Sequence, residues 1–243
     1  MEQDKIYLGD AYELIKEIPD KSIDLIITDP PYEIEGVHNS GILATRGKTG
    51  NFANELKDNQ LDQGIDIKIL DDFVRVMKKI NIYLWCNKEQ IYDYMTYFVK
   101  ERKCNFEILI WAKEDPIPFC GTHYLKDKEY CLYFWEQGAE VYIPYERGKS
   151  VFIGKKNLED KNLYKHPTIK PLELIKMLIE NSSKAGGVIL DPFIGSGTTA
   201  VAAKELNRHY IGFELNKEYY NIAIDRLNGI TANGQTTIFT DFN

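Results

Sequence analysis

An open α/β sheet is the fold class that this sequence predicts, and three observations predict it. Short continuous apolar runs, such as residues 23–28 (IDLIIT) and 188–190, end in turn residues, as strands covered on both faces do. Segments of helical period alternate with such runs. Two motifs rich in Pro and Gly, DPPY at 29–32 and DPFIGSGTT at 191–199, each follow one of these runs directly. Ligands in an open parallel sheet sit beyond the carboxyl ends of the strands, so these turns mark the working edge.

The elements follow in order. Residues 5–8 read as a strand and 11–17 as a short helix with Asp10 available as its N-cap. The strand 23–28 runs into DPPY. Residues 33–64 are polar, glycine-rich and without period, which predicts a long loop, either functional or disordered. Ile69, Leu70, Phe73, Val76, Met77 and Ile80 recur at helical spacing and predict a helix over 65–79. Strands are expected at 82–86, 106–111 and 130–135, with a helix over 88–102 after the first of them. Asp115-Pro116-Ile117-Pro118 breaks regular structure, and residues 141–167 show no period. Pro171 opens a helix through Leu172, Ile175, Leu178 and Ile179. A strand at 188–190, a helix at 198–206, a strand at 210–213 and a helix at 218–227 complete the chain.

Composition sets bounds. The 243 residues, 44% of them hydrophobic, suit a single domain with an inserted region. No apolar run approaches the roughly 18 residues that a membrane-spanning helix needs, and the polar N-terminus is unlike a signal peptide. A cytoplasmic protein with reduced thiols and no membrane contact is expected. Cys86, Cys104, Cys120 and Cys131 show no CxxC spacing, so no metal site is expected. The net charge of −7 argues against nucleic-acid binding by bulk charge alone. Bases are nevertheless concentrated at Arg147, Lys149, Lys155, Lys156, Lys161, Lys165 and Lys170, against Glu159 and Asp160. Arg147, Lys149, Lys155 and Lys156, with Arg46 and Lys48 in the long loop, are candidate phosphate contacts; a solvated surface is the alternative.

The turn at 191–199 has the chemistry of a nucleoside site. Gly195 and Gly197 permit positive φ and close backbone approach, and the turn aims amides from a helix N-terminus. Glu214 ends the next strand, where a carboxylate can accept from both ribose hydroxyls. Ala200 replaces the third glycine of a dinucleotide fingerprint, and Asp191 would repel a phosphate. A cofactor with a ribose, no phosphate and a positive centre fits better, and S-adenosylmethionine has those properties. A plain strand–turn–helix connection is the competing reading.

The DPPY turn has a different use. Its two prolines fix φ and lack N–H groups, so the carbonyls of Pro30 and Pro31 have limited freedom. An exocyclic amino group on a base is a poor nucleophile because its lone pair is delocalised into the ring. The Asp29 carboxylate and the Pro30 carbonyl can bind its two hydrogens and draw the nitrogen toward tetrahedral geometry. Tyr32 can stack on the ring. A tight turn with Tyr32 in the core is the alternative.

Taken together, these residues resemble the amino-methyltransferases of DNA, in the group whose catalytic motif precedes the cofactor motif. The resemblance covers residues 6–28 with DPPY, the core strands, and 166–227. It implies that Asp29, Pro30, Pro31 and Tyr32 are catalytic, and that Gly9 and Asp10 lie near the cofactor adenine. It also implies that His166, Thr168 and Lys170 of the HPTIKP segment help hold the methionine end. The cofactor turn then supplies Asp191, Phe193, Gly195, Ser196, Gly197, Thr198 and Thr199, with Glu214 on the ribose. The implied fold is a circularly permuted, Rossmann-like methyltransferase fold, a mixed seven-stranded sheet flanked by helices. A target-recognition insertion at 113–165 and a mobile loop at 33–64 complete the expected domain.

The implied reaction is direct methyl transfer from S-adenosylmethionine to the amino nitrogen of adenine in double-stranded DNA, on a base flipped out of the duplex. Cytosine's amino group is the alternative, since in this family DPPY usually accompanies adenine and SPPY or TPPY cytosine. A non-catalytic DNA-binding subunit with a relic fold and a nucleotide-dependent oxidoreductase are rival classes. Intact DPPY and DPFIGSGTT motifs argue against both. A homodimer and a cognate restriction enzyme are partners on which the sequence is silent.

Overall fold

The structure, a computed structural model, describes residues 1–32, 64–116, 124–155, 157–164 and 169–234. Eight strands form one sheet: β1 (Lys5–Leu8), β2 (Leu25–Thr28), β3 (Asn81–Cys86), β4 (Asn105–Lys113), β5 (Lys128–Trp135), β6 (Val151–Gly154), β7 (Val188–Asp191) and β8 (His209–Glu214). Their order is β1-β8-β7-β2-β3-β5-β4-β6. Only β5 is antiparallel to its neighbours, β3 and β4. Every other pairing is parallel, so the ends at Leu8, Thr28, Cys86, Lys113, Gly154, Asp191 and Glu214 share one edge. The sheet is mixed, as expected, but has eight strands rather than seven. The additional strand is β6, an edge strand of alternating exposure within the stretch that shows no sequence period.

The continuous apolar runs behave as buried strands. All residues of β2, β3 and β7 are buried. Alternation along β3 sends Ile82 and Leu84 into one core and Tyr83 and Trp85 into the other. The first core is closed by Phe73 and Phe98, the second by Ile175 and Val201. Phe98 stacks on Phe134 at 4.6 Å on one face, and Tyr83 on Tyr133 at 4.0 Å on the other. Burying each such side chain contributes about 1.5–3 kcal/mol before entropy is counted.

Among the described residues seven α-helices flank the sheet: α1 (Ala11–Leu14), α2 (Ile69–Val76), α3 (Ile91–Met95), α4 (Leu158–Tyr164), α5 (Leu172–Ser182), α6 (Thr198–Glu205) and α7 (Lys217–Leu227). Asp10 caps α1 by accepting from Tyr12 N at 2.9 Å. The helix expected over 65–79 is shorter. Met77 is extended and bridges Ile23, with Lys78 N donating to Ile23 O at 2.8 Å, so pairing with the start of β2 overrides helical period. The helix expected over 88–102 starts late because Asn87 Oδ1 accepts from Glu89 N and Gln90 N at 3.1 Å each. It then widens into a π turn at Thr96–Glu101, of which the sequence carries no sign. Helix α4 lies in the segment without period and was not expected.

Candidate active site

Beyond the carboxyl ends of the central strands lies a cleft of about 550 Å³. Its wall includes Gly9, Asp10, Asp29, Pro31 and Lys170, together with Asp191, Phe193 and Glu214. Gly195, Ser196, Thr198 and Thr199 also line it, so the two turn motifs meet in one place although Asp29 and Asp191 are far apart in sequence. Gly197, Pro30 and Tyr32 are not on this wall. His166, Thr168, Arg46, Lys48 and Lys156 lie outside the described residues, as does nearly all of the loop at 33–64.

Strand β7 delivers the turn at 191–199. Asp191 accepts from Thr28 Oγ1 and Thr199 Oγ1 at 2.7 Å each and from Phe193 N at 3.1 Å. One carboxylate therefore ties β7 to β2 and to the first turn of α6. Burial pushes its pKa up to about 7, against the pull of those donors. Gly195 and Gly197 both have left-handed φ, +51° and +79°. At Gly197 a Cβ would also come within 3.0 Å of Ala223 Cβ on α7, so this glycine serves packing.

Glu214 is held from both sides. Its Oε2 accepts from Gly195 N at 2.9 Å and its Oε1 from Asn216 N at 2.8 Å. Burial raises its pKa, and those amides oppose the rise. The Leu215 amide also acts on it, so of about four lone-pair sites roughly one is left for a ligand in the cleft. Gly9 N donates to Glu214 O at 2.9 Å, which places the end of β1 beside it. Asp10 lines the cleft while capping α1 through Oδ1.

The DPPY turn follows β2. Tyr32 donates its hydroxyl to Asp29 Oδ1 at 2.7 Å, and Lys170 forms an ion pair with Asp29 Oδ2. Gln90 Nε2 reaches the Pro31 carbonyl at 3.4 Å, whereas the Pro30 carbonyl accepts nothing from the described residues. Lys170 also stands 4.9 Å over the Trp85 ring. Burial lowers the Lys170 pKa, but Asp29 and Glu129 raise it further, so it stays charged. Burial, with the nearby Asp29 charge, pushes the Cys86 thiol up to about 12 and removes it as a nucleophile at neutral pH.

The wall's charge suits a particular ligand. Asp10, Asp29, Asp66, Asp191 and Glu214 line the cleft against the one cation Lys170, among the described residues. A pyrophosphate would meet that set unfavourably, whereas a nucleoside with a positive centre fits it. No His/Cys/Asp/Glu cluster able to hold a metal occurs among the described residues.

A family model for DNA methylases matches residues 23–225. The chain belongs to that family. It is 32% identical over 257 residues to the type II methyltransferase M.HinfI of Haemophilus influenzae, covering 94% of this chain and 69% of that relative. It is 29% identical to the type II methyltransferase M2.DpnII of Streptococcus pneumoniae, covering 90% and 87%. The solved complex of M1.HpyAVI with SAM superposes with a TM-score of 0.66 at 26% identity, covering 92% of this chain and 99% of that one. The PvuII DNA methyltransferase, titled cytosine-N4-specific, shares the fold with a TM-score of 0.65 at 18% identity.

For this DNA methylase, sequence reasoning missed several residues. Arg226, 2% exposed, donates to Thr198 Oγ1 at 2.7 Å and Ser196 Oγ at 3.3 Å, and pairs with Asp160 at 3.2 Å. It thereby ties α7 and α4 to the cofactor turn. Its signal was present: Tyr219, Ala223 and Arg226 share the buried face of α7, and a cation on such a face needs partners. Glu129 at the start of β5 pairs with both Lys113 and Lys170. A lone acid ahead of an aromatic strand gave no comparable signal.

The basic segment is split. Arg147 pairs with Glu180 at 3.5 Å and donates to Asn181 at 3.0 Å, at the carboxyl end of α5. There Asn81, at the amino end of β3, also donates to Ser182 O, so Arg147 sits at the sheet end opposite the cleft. Lys149 precedes β6 at that same end, and Lys155 follows β6 at the cleft end. No helix among the described residues is long and apolar enough to cross a membrane.

Proposed function

We propose that this DNA methylase methylates the exocyclic amino group of adenine, at a specific site in double-stranded DNA. The observation that carries the reading is the meeting, in one cleft, of an acidic nucleoside cradle at Glu214 with the Asp29 carboxylate, whose neighbour in sequence, the Pro30 carbonyl, accepts nothing from the described residues. S-adenosylmethionine is the cofactor, and it supplies a methyl group activated by a sulfonium. Glu214 and Asp10 hold its nucleoside end, on the turn fixed by Asp191 and Arg226.

The chain's own groups prepare the nucleophile. Asp29 and the Pro30 carbonyl each accept one amino hydrogen, which localises the nitrogen lone pair toward the cofactor side. Tyr32, tethered to Asp29, offers its ring to the flipped base. With the cofactor bound, the nitrogen would take the methyl as the methyl–sulfur bond breaks, its electron pair staying on sulfur as a neutral thioether, and the nitrogen would give up one proton, which Asp29 passes to water. No strong base is needed, because the proton leaves after attack. Rate comes from alignment and from acceptors already in place.

Adenine rests on Asp at position 29, since DPPY usually accompanies adenine in this family. Of the candidate phosphate contacts, Lys155 stands at the working edge. Calorimetry with S-adenosylmethionine, NAD and ATP, followed by transfer of labelled methyl to duplex DNA, tests the reading. Binding of the first alone and label on DNA are expected. Binding of NAD with no label on DNA would defeat it.

A further inference from the structure

Four charged side chains from four parts of the chain form an alternating row beside the cleft. Lys113 ends β4, Glu129 begins β5, Lys170 precedes α5 and Asp29 follows β2. Glu129 Oε1 is ion-paired with Lys113, and Lys170 with Asp29 Oδ2. Between these pairs, Glu129 Oε2 lies 3.1 Å from Lys170 Nζ. That oxygen is buried and makes no properly aligned hydrogen bond among the described residues. Lys170 is thus bonded to Asp29 and at the same time ion-paired with Glu129, whose Oε2 has no better-aligned partner among the described residues. Burial opposes charge on Glu129, but Lys170 and Lys113 hold its pKa at about 2, so it is ionised at any working pH.

This arrangement bears on how Asp29 becomes available. Both of its oxygens are engaged, one by Tyr32 and one by Lys170. A target amino group binding Asp29 competes with these two partners for its lone pairs. A lysine displaced with no second acceptor would be an uncompensated buried cation, which strongly opposes entry of the base. Glu129 removes that penalty, and Lys113 keeps Glu129 in place by holding its other oxygen.

We propose that Glu129 is a positioning residue for methyl transfer, receiving Lys170 when the target amino group takes its place on Asp29. The proposal rests on the amino-methylation reading above. It assigns Glu129 no contact with either substrate.

The test is single-turnover methyl transfer at saturating S-adenosylmethionine and saturating DNA that carries the enzyme's own site. Glu129→Gln is expected to slow transfer by about ten- to a hundredfold, the upper figure being the scale of a catalytic group misplaced by 1 Å. Cofactor affinity by calorimetry stays within about twofold, because Glu129 does not line the cofactor cradle. Glu129→Asp, which keeps the charge, recovers most of the rate. A second readout needs no turnover: fluorescence of 2-aminopurine at the target position. Glu129→Gln is expected to lower the flipped fraction, and adding Lys170→Gln to restore it, since no lysine then occupies Asp29. If Glu129→Gln does not fold, Lys113→Gln serves instead, with transfer slowed about threefold. Active wild type with transfer unchanged in the folded variant, or a flipped fraction indifferent to Lys170, overturns this proposal alone. Wild type that methylates no DNA overturns the functional reading, and this proposal with it.

Discussion

Tyr32 donates its hydroxyl to Asp29 Oδ1 across 2.7 Å, so the aromatic and the carboxylate of one turn are a single rigid unit. Burial, and the Asp29 charge, keep the phenol pKa well above its ordinary value, so it remains a donor at working pH. Tyr32→Phe keeps the ring and is expected to retain methyl transfer within about tenfold of wild type. Tyr32→Ala loses the ring and is expected to weaken binding of an extrahelical target base by about 1–3 kcal/mol. Equal losses in both variants would show that the ring does not hold the base.

Glu214 presents its remaining lone-pair site to the cleft after fixing Gly195 N and Asn216 N. Glu214→Ala is expected to weaken S-adenosylmethionine binding by about 1–3 kcal/mol, the scale of a charged hydrogen bond. Calorimetry on a variant with a native melting profile checks this. Unchanged affinity would remove Glu214 from the ribose.

Asp191 makes stability depend on pH. Its pKa rises on folding from 3.8 to about 7, chiefly through burial. The folded state therefore binds the proton more tightly than the unfolded one. Stability from this group is fully present below pH 3.8 and is lost as pH rises through about 7. Asp191→Asn removes that term. Denaturant titrations across this window should show the variant gaining on wild type as pH rises. A constant difference between the two would contradict the assignment.

Arg226 ties the cofactor turn to two helices through Thr198, Ser196 and Asp160. Arg226→Met keeps bulk but strands those partners, and is expected to cost about 2–4 kcal/mol of stability. It should also weaken cofactor binding, because the turn loses its brace. Chemical denaturation and calorimetry read the two effects separately.

The working edge was legible because its chemistry is local. DPPY and DPFIGSGTT each follow an apolar run, and the parallel sheet carries both to one edge. The capping of α1 by Asp10 and the place of Glu214 at the end of β8 could likewise be read from neighbours in sequence. What could not be read depends on pairing between distant segments. Met77 leaves its helix to bridge Ile23, and β6 is a strand because it completes the edge beside β4. Glu129 meets Lys170 only once β5 and the start of α5 are brought together. The segment from Arg147 to Lys155 looked like one basic stretch, but β6 carries its two ends to opposite ends of the sheet.

The central claim is amino-methylation of adenine that depends on Asp29. Its most direct measurement is mass spectrometry of nucleosides from a methylation-free host expressing wild type or Asp29→Ala. The account predicts N6-methyladenine with wild type and none with the variant, although the folded variant still binds S-adenosylmethionine within about tenfold. Methyladenine persisting in Asp29→Ala, or methylated cytosine amino groups without methyladenine in wild type, would contradict it.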